Sequence, residues 1–272
     1  MERCSVESRW CRVASPGSGG FGRIGEDTRN GAFAQANMDE QPDSMGDRLS
    51  LVFRQIQRAM HKAGRHEGSV QLVAATKMVS VERIREAIAA GLHIAGESRL
   101  QEAIPKIEAL KGEPIQWHFI GALQRRKVRS VVGIFDLIHS VDSLELAQEV
   151  DRRAEAAGLR QSILLEINVG KEKSKAGFLH DEVERVLPQL GALDHVAVKG
   201  LMAIPPPVRE ADEARPYFRG LRELAVRLTQ QGIPRISMAE LSMGMSNDFV
   251  VAVEEGATFV RVGTAIFGAR HG

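Results

Sequence analysis

Hydrophobic residues recur at helical spacing in the first part of the chain that has a clear pattern. From Asp47 onward they lie three or four positions apart, and the pattern stops at Gly64: Leu49, Val52, Phe53, Ile56, Ala59, Met60 and Ala63. This spacing places side chains on one face of an α-helix, and glycine commonly follows a helix end. The pattern therefore predicts an amphipathic helix that ends near residue 63.

Beyond this helix, short runs rich in β-branched and apolar residues alternate with segments of helical periodicity. The predicted strands lie near residues 70–76, 92–96, 116–120, 134–139, 162–168, 195–201, 236–242 and 258–262. The predicted helices lie near residues 80–90, 98–110, 143–157, 180–190, 210–231 and 246–255, with a shorter one at 124–132. Strands that alternate with helices indicate an α/β fold with a parallel sheet.

Eight is the number of strands that closes a (β/α)8 barrel, and 228 residues remain of the 272 when the first 44 are set aside. We therefore predict a single TIM barrel with an N-terminal helix over residues 45–272. An open doubly wound sheet is the alternative, because the sequence does not show closure directly.

Residues 1–44 have no sustained periodicity and are rich in glycine, serine and charged residues. Such a segment has too little apolar surface to offset the entropy lost on ordering, so we expect a disordered N-terminal extension. Met38 and Met45 are plausible alternative starts. Gly17, Gly19 and Gly22 spell G-x-G-x-x-G here, but neither a strand before nor a helix after the motif is predicted, so a dinucleotide site is rejected.

Composition narrows the functional classes. The net charge of +1 gives no electrostatic case for nucleic-acid or membrane binding, and the basic run at 125–129 is typical of a solvated helix start. No apolar stretch approaches the ~20 residues that span a bilayer. The two cysteines, Cys4 and Cys11, leave the rest of the chain without a disulfide or a cysteine-based metal site, which fits a reducing cytoplasm. No H-E-x-x-H motif is present, so we expect no metal.

Lys77 is the most informative candidate residue. It ends the apolar run at 72–76, and an ammonium at the end of a buried strand is costly unless it is paired or neutralised. A desolvated lysine with a lowered pKa is a nucleophile, used for Schiff bases with carbonyl compounds or with pyridoxal phosphate. In a barrel, functional residues gather where strands end, which is where Lys77 stands.

The segments after strands 7 and 8 suggest a phosphate site, which barrels often build there from backbone N–H groups. Gly244 would let the backbone approach a ligand, and Ser246 would stand at the N-terminus of the helix predicted at 246–255. Gly263 and Thr264 would offer two more amides. Ser246 could also be a plain helix cap, but its pairing with the Gly-Thr turn favours phosphate.

Arg261 follows the β-rich run at 258–260, so we expect its guanidinium in the barrel mouth. It could form a structural ion pair with a carboxylate such as Glu97 or Glu240. Alternatively it could face a pyridine nitrogen, a known partner position in pyridoxal phosphate sites. Because arginine stays protonated, it would donate to that nitrogen and leave the ring a weak electron sink.

Taken in order, the strand ends resemble those of the YggS/PROSC family of pyridoxal phosphate homeostasis proteins, which is similar to the barrel domain of alanine racemases. The resemblance covers about residues 47–272 and rests on eight ordered segments, at 72–77, 96–97, 117–121, 123–124, 174–177, 199–205, 241–246 and 260–268. Where the family often has asparagine after strands 2 and 3, this chain has Ser98 and Arg126, and Ala122 replaces a proline or histidine.

The resemblance implies how the cofactor, pyridoxal 5'-phosphate (PLP), is held. Lys77 would carry it as an internal aldimine, Ser246, Gly263 and Thr264 would hold its phosphate, and Arg261 would face the pyridine nitrogen. Asn168 and Met202 would lie beside the ring, although Asn168 could instead only tie down a loop.

The sequence favours a cofactor carrier over an enzyme. Racemases of this fold need a base on each face of the cofactor, and in alanine racemase the second is a tyrosine from another domain. Here the only tyrosine is Tyr217, within a predicted helix, and we expect no second domain because Gly272 lies four residues after Gly268. We therefore expect no catalytic residues, and a protein that holds and buffers PLP in the cytoplasm.

The expected partners are PLP itself and apo-forms of PLP enzymes, and we expect a monomer that binds neither nucleic acid nor membrane. The alternative function is an amino-acid racemase or lyase whose second base would be His118 or Lys175. A nucleic-acid or protein scaffold would rest only on the basic run at 125–129.

Overall fold

Eight parallel strands close into a barrel in the computed structural model, which describes residues 44–172 and 175–268. Each strand pairs with the next along the chain, and β8 pairs with β1. The prediction of a (β/α)8 barrel is confirmed, and the open sheet is excluded. Of the predicted disordered extension at 1–44, only Ser44 lies among the described residues.

The strands run β1 Gln71–Ala75, β2 Ile94–Glu97, β3 Gln116–Phe119, β4 Leu137–Val141, β5 Gln161–Ile167, β6 Val196–Ala203, β7 Ile236–Ser242 and β8 Phe259–Val262. The helices run α1 Met45–Lys62, α2 Val81–Ala89, α3 Leu100–Ala109, α4 Leu144–Ala156, α5 His180–Gly191, α6 Arg215–Gln230, α7 Phe249–Glu254 and α8 Thr264–Phe267. Short 3-10 helices lie at Arg125–Ser130 and Ala211–Ala214.

Four elements differ most from the sequence prediction. Gly133, with φ of 78°, closes a turn whose backbone is held by the Gln161 side chain, so β4 begins at Leu137 rather than at residue 134. The helix predicted at 124–132 is a six-residue 3-10 helix, and the one predicted at 210–231 begins with a separate 3-10 turn before α6. The fourth difference, at α7, bears on the site and is described below.

The hydrophobic core has two layers, as expected for a barrel. Inside the strands lies a small cluster of buried side chains: Val73, Ile94, Leu137, Leu164, Met202 and Phe259. The larger layer lies between the strands and the helices, and the predicted apolar face of α1 is part of it. The capping box of Ser44 and Asp47 begins α1, which packs against α7 and α8.

Within residues 44–172 and 175–268, no helix combines the length and the apolar character that crossing a lipid bilayer requires.

Candidate functional site

A cavity of about 480 Å³ opens where β1, β6, β7 and β8 end. One wall is the apolar run at 204–208, and Lys175 lies beside it. The other residues that line the cavity are Ala75, Met245, Ser246, Asn247, Asp248, Arg261, Gly263 and Thr264. Four of the seven predicted cofactor-binding residues therefore share one cavity: Ser246, Arg261, Gly263 and Thr264.

The segments after β7 and β8 are tied together at this cavity. The Gly263 N–H donates to Ser246 Oγ at 3.3 Å, and Thr264 begins α8. The backbone N–H groups of Ser246 and Thr264 donate to no acceptor within the described part of the chain. Two hydroxyls and two free amides thus converge on one place, and such a set can hold an anion.

The expected position of Ser246 at a helix N-terminus was wrong. Asp248 accepts the N–H of Met245 at 2.6 Å, which keeps residues 245–248 in a turn, so α7 begins at Phe249 with Asp248 before it. Ser246 therefore reaches the cavity from a turn rather than from a cap.

Gly244 also has a different role from the predicted one. Its φ is 89°, and a Cβ there would lie 2.5 Å from Ala252 Cβ and 2.9 Å from Phe249 Cα. Glycine is therefore required because the turn packs closely on α7, and Gly244 does not line the cavity.

Arg261 is held from inside the barrel by a chain of buried polar side chains. Its guanidinium donates to Ser242 Oγ at 2.5 Å and to the Ala203 carbonyl at 3.0 Å. His139 Nδ1 lies 2.8 Å from Ser242 Oγ, and His139 Nε2 lies 3.0 Å from His118 Nδ1. Ser242 and His139 are fully buried, and Arg261 is 5% exposed.

The direction of this chain follows from its first donor. Arginine only donates, so Ser242 accepts from Arg261 and gives its own proton to His139 Nδ1. His139 then donates through Nε2 to His118. Burial lowers the pKa of His118 to about 3 and, with the neighbouring His118 and Arg261, holds the pKa of His139 well below its usual value. Both imidazoles are therefore neutral, which satisfies every bond in the chain.

The structural alternative for Arg261 was wrong. Glu97 pairs with Lys106 at 2.7 Å, and Glu240 accepts from the Thr258 hydroxyl at 2.6 Å. Burial lowers the pKa of Arg261 to about 10, so the guanidinium still carries its charge at neutral pH. Within residues 44–172 and 175–268 no carboxylate lies at ion-pair distance from Arg261, although Glu166 and Asp248 are near enough to raise its pKa, so the guanidinium can still donate to a ligand acceptor.

Lys77 is not among the residues that line the cavity, but it comes two positions after Ala75, which does line it. It lies in the turn after β1, half-buried, two residues beyond Ala75. Two residues of chain span at most ~7 Å, so its Cα is close to the cavity rim. Lys77 also continues the alternation of Val73, in the inner cluster, and Ala75.

Asn168 and Met202 lie outside the cavity lining. The Asn168 amide donates to the carbonyls of Glu172 and Lys175 and accepts the N–H of Glu172, so it ties down the loop, as the sequence allowed. Met202 is buried in the inner cluster. Lys175 lines the cavity, with Nζ 2.7 Å from a Glu172 carboxylate oxygen.

Glu166 is a mostly buried carboxylate near Arg261 to which the sequence analysis gave no role. It stands near the end of β5, two residues after the inner-cluster Leu164. The pKa of Glu166 is raised to about 7, because burial and the nearby Asp142 carboxylate raise it by more than Arg261 lowers it. The signal in the sequence was its position, because side chains two residues apart on a strand point to the same face and Leu164 faces the inside of the barrel.

Because the folded pKa of Glu166 is above its unfolded value, the stabilising contribution is complete below the unfolded pKa of about 4.5 and is lost as pH rises through about 7. We expect Glu166→Gln to be more stable than the wild type at pH 8, by up to ~3 kcal/mol, with the difference vanishing near pH 4.5. Unfolding in urea across pH 4.5 to 8 measures this. The exposed Glu86→Gln is the control, and an equal pH profile for both variants would contradict the assignment.

The chain is similar to known proteins over most of its length. The chain matches the family "Alanine racemase, N-terminal domain" over residues 49–271. It is 45% identical over 224 residues to a pyridoxal phosphate homeostasis protein of Aquifex aeolicus, a match that covers 82% of this chain and 97% of that one.

Two solved structures are also similar. PipY of Synechococcus elongatus, solved with PLP bound, is 40% identical with a TM-score of 0.73, over 83% of this chain and all of PipY. An alanine racemase of Clostridium difficile is 15% identical with a TM-score of 0.62, over 83% of this chain and 57% of that one, which shows the shared fold alone.

Proposed function

Because the chain belongs to the family of pyridoxal phosphate homeostasis proteins, within the alanine racemase N-terminal domain family, we propose that it binds PLP and takes part in intracellular PLP homeostasis. One observation carries the proposal. A single cavity is lined by Ser246, Gly263 and Thr264 from the segments after β7 and β8 and by the charged Arg261, and the turn that contains Lys77 follows the cavity-lining Ala75.

The residues present fit PLP. Its phosphate needs hydroxyls and free amides, which Ser246 and Thr264 supply. Its ring nitrogen needs a donor, and Arg261 offers a guanidinium anchored to Ser242. Its aldehyde needs an amine, and Lys77 lies at the rim.

When bound, PLP supplies an electrophilic carbonyl and, in enzymes, an electron sink. The residues of this chain bind and orient it. Ser246, Gly263 and Thr264 would hold the phosphate, Lys77 would provide the amine for covalent attachment, and Arg261 would donate to the ring nitrogen and so keep it unprotonated. Neutral His139 fixes the Ser242 hydroxyl, so the guanidinium has one orientation.

We propose that the protein is a carrier rather than an enzyme. His118, one of the two candidate second bases, is engaged with His139 and its pKa is about 3, so it is a poor base at neutral pH. No tyrosine is among the residues that line the cavity within the described chain. We also propose that it works in the cytoplasm as a monomer and delivers PLP to apo-enzymes.

A racemase or lyase remains the second candidate, because Lys175 lines the cavity. Two assays on the PLP-loaded protein separate the candidates. With alanine and other amino acids in deuterium oxide, a carrier leaves the α-hydrogen unexchanged, whereas an enzyme exchanges it in a manner lost in Lys77→Ala. When it is mixed with the apo-form of a PLP-dependent enzyme, a carrier restores the activity of that enzyme in proportion to the PLP that the carrier loses. Sustained amino-acid turnover would contradict the carrier.

A further inference from the structure

The turn that carries Lys77 is held by charged side chains from α3. Each of the two peptide groups that flank the Lys77 Cα makes one hydrogen bond to this helix. On the N-terminal side, Lys106 Nζ donates to the Thr76 carbonyl at 2.7 Å. On the C-terminal side, the Met78 N–H donates to Glu102 Oε2 at 2.8 Å. With both peptide planes tethered, the Cα–Cβ direction of Lys77 is fixed.

A buried ion pair supports the first of these bonds. Lys106 Nζ is 2.7 Å from Glu97 Oε1, and their side chains are 10% and 0% exposed. The Thr76 hydroxyl donates to the same Glu97 oxygen at 2.7 Å. Glu97 thus holds Lys106 and Thr76 together, and the lysine ammonium is left with a fixed direction toward the Thr76 carbonyl.

The second bond holds a residue in an unfavourable conformation. Met78 has φ of 61°, in the left-handed region that side chains other than glycine rarely adopt, and its side chain is 60% exposed. Packing of an exposed side chain does not enforce such a backbone. The turn is closed by the Val79 N–H, which donates to the Thr76 carbonyl at 3.0 Å, and the charge-assisted bond that the Met78 N–H donates to Glu102 further stabilises this backbone.

We propose that Glu102 and Lys106, with Glu97 behind them, are positioning residues that fix Lys77 for covalent capture of PLP. This inference rests on the proposed function. It assigns to α3 a role beyond helix packing. Glu102 and Lys106, four residues apart on α3, each bond one of the two peptide groups that flank Lys77.

Glu102→Ala tests the inference, because Glu102 is half-buried and its loss leaves the buried Glu97–Lys106 pair intact. Two ligands are compared. PLP can bond to Lys77, whereas pyridoxine 5'-phosphate lacks the aldehyde and reports only the phosphate and ring contacts. We expect PLP to bind Glu102→Ala about 10-fold more weakly than wild type, and pyridoxine 5'-phosphate to bind equally well.

Two further variants sharpen the test. Glu102→Gln keeps an acceptor oxygen and should recover most of the PLP affinity. Glu108→Ala removes an exposed carboxylate from the same helix and should bind both ligands as the wild type does. Unchanged PLP affinity in Glu102→Ala would overturn the inference, and so would an equal loss for both ligands. A wild type that never bonds PLP covalently would instead overturn the proposed function, and the inference with it.

Discussion

Replacing Lys77 with alanine is expected to abolish covalent attachment of PLP to this protein. Lys77 lies two residues beyond Ala75, which lines the cavity, and it would supply the amine of the proposed site. The phosphate turns and Arg261 remain, so the variant should still bind pyridoxine 5'-phosphate as the wild type does. For PLP we expect the apparent Kd to rise by roughly 100-fold or more, about 2.7 kcal/mol. Absorbance titration with both ligands measures this.

Lys111→Ala is the matched control, because Lys111 is exposed on the loop after α3. It should bind PLP as the wild type does. Borohydride reduction followed by peptide mapping separates Lys77 from Lys175, the other amine at the cavity. If Lys77→Ala bound PLP as tightly as the wild type, Lys77 would not be the attachment point.

Replacing Arg261 with methionine is expected to weaken PLP and pyridoxine 5'-phosphate alike. Both ligands carry the ring nitrogen that the guanidinium is proposed to face, and a hydrogen bond to a charged group is worth ~1.5–3 kcal/mol. We therefore expect both Kd values to rise by roughly 10- to 100-fold. Methionine has a similar reach and no charge, so it fills the buried space between Ser242 and Ala203.

Because Arg261 also bonds Ser242 and the Ala203 carbonyl, the variant should lose some stability, which thermal unfolding would report. Arg261→Lys keeps the charge without the planar fork and should bind with intermediate affinity. The exposed Arg58→Met on α1 is the control. A folded Arg261→Met that binds both ligands with wild-type affinity would remove Arg261 from the site.

The sequence predicts the barrel well because closure depends on a repeating pattern. Strands ended by polar residues and separated by amphipathic helices leave few other arrangements. Boundaries were less certain where one local interaction decides them. The Asp248 carboxylate moved the start of α7 by three residues, and Gly133 shortened β4.

The candidate site was predicted only in part, for a physical reason. Glycine, serine and threonine at strand ends suggest phosphate by their type alone, so Ser246, Gly263 and Thr264, which line one cavity in the structure, could be named as candidates from the sequence. The environment of Glu166, the His118–His139–Ser242 chain and the α3 contacts to the Lys77 turn each join residues far apart in the chain. Such contacts depend on register and burial, which periodicity does not specify.

The proposed bond between PLP and Lys77, at the cavity where the strands end, can be tested directly. The most direct measurement is the visible absorption spectrum of the purified wild type with added PLP, before and after borohydride, followed by mass spectrometry of its peptides. We expect a yellow protein, loss of the visible absorption band on reduction, and a mass increase that corresponds to reduced PLP on the peptide that contains Lys77. A protein that stays colourless with added PLP, or a label confined to other lysines, would contradict it.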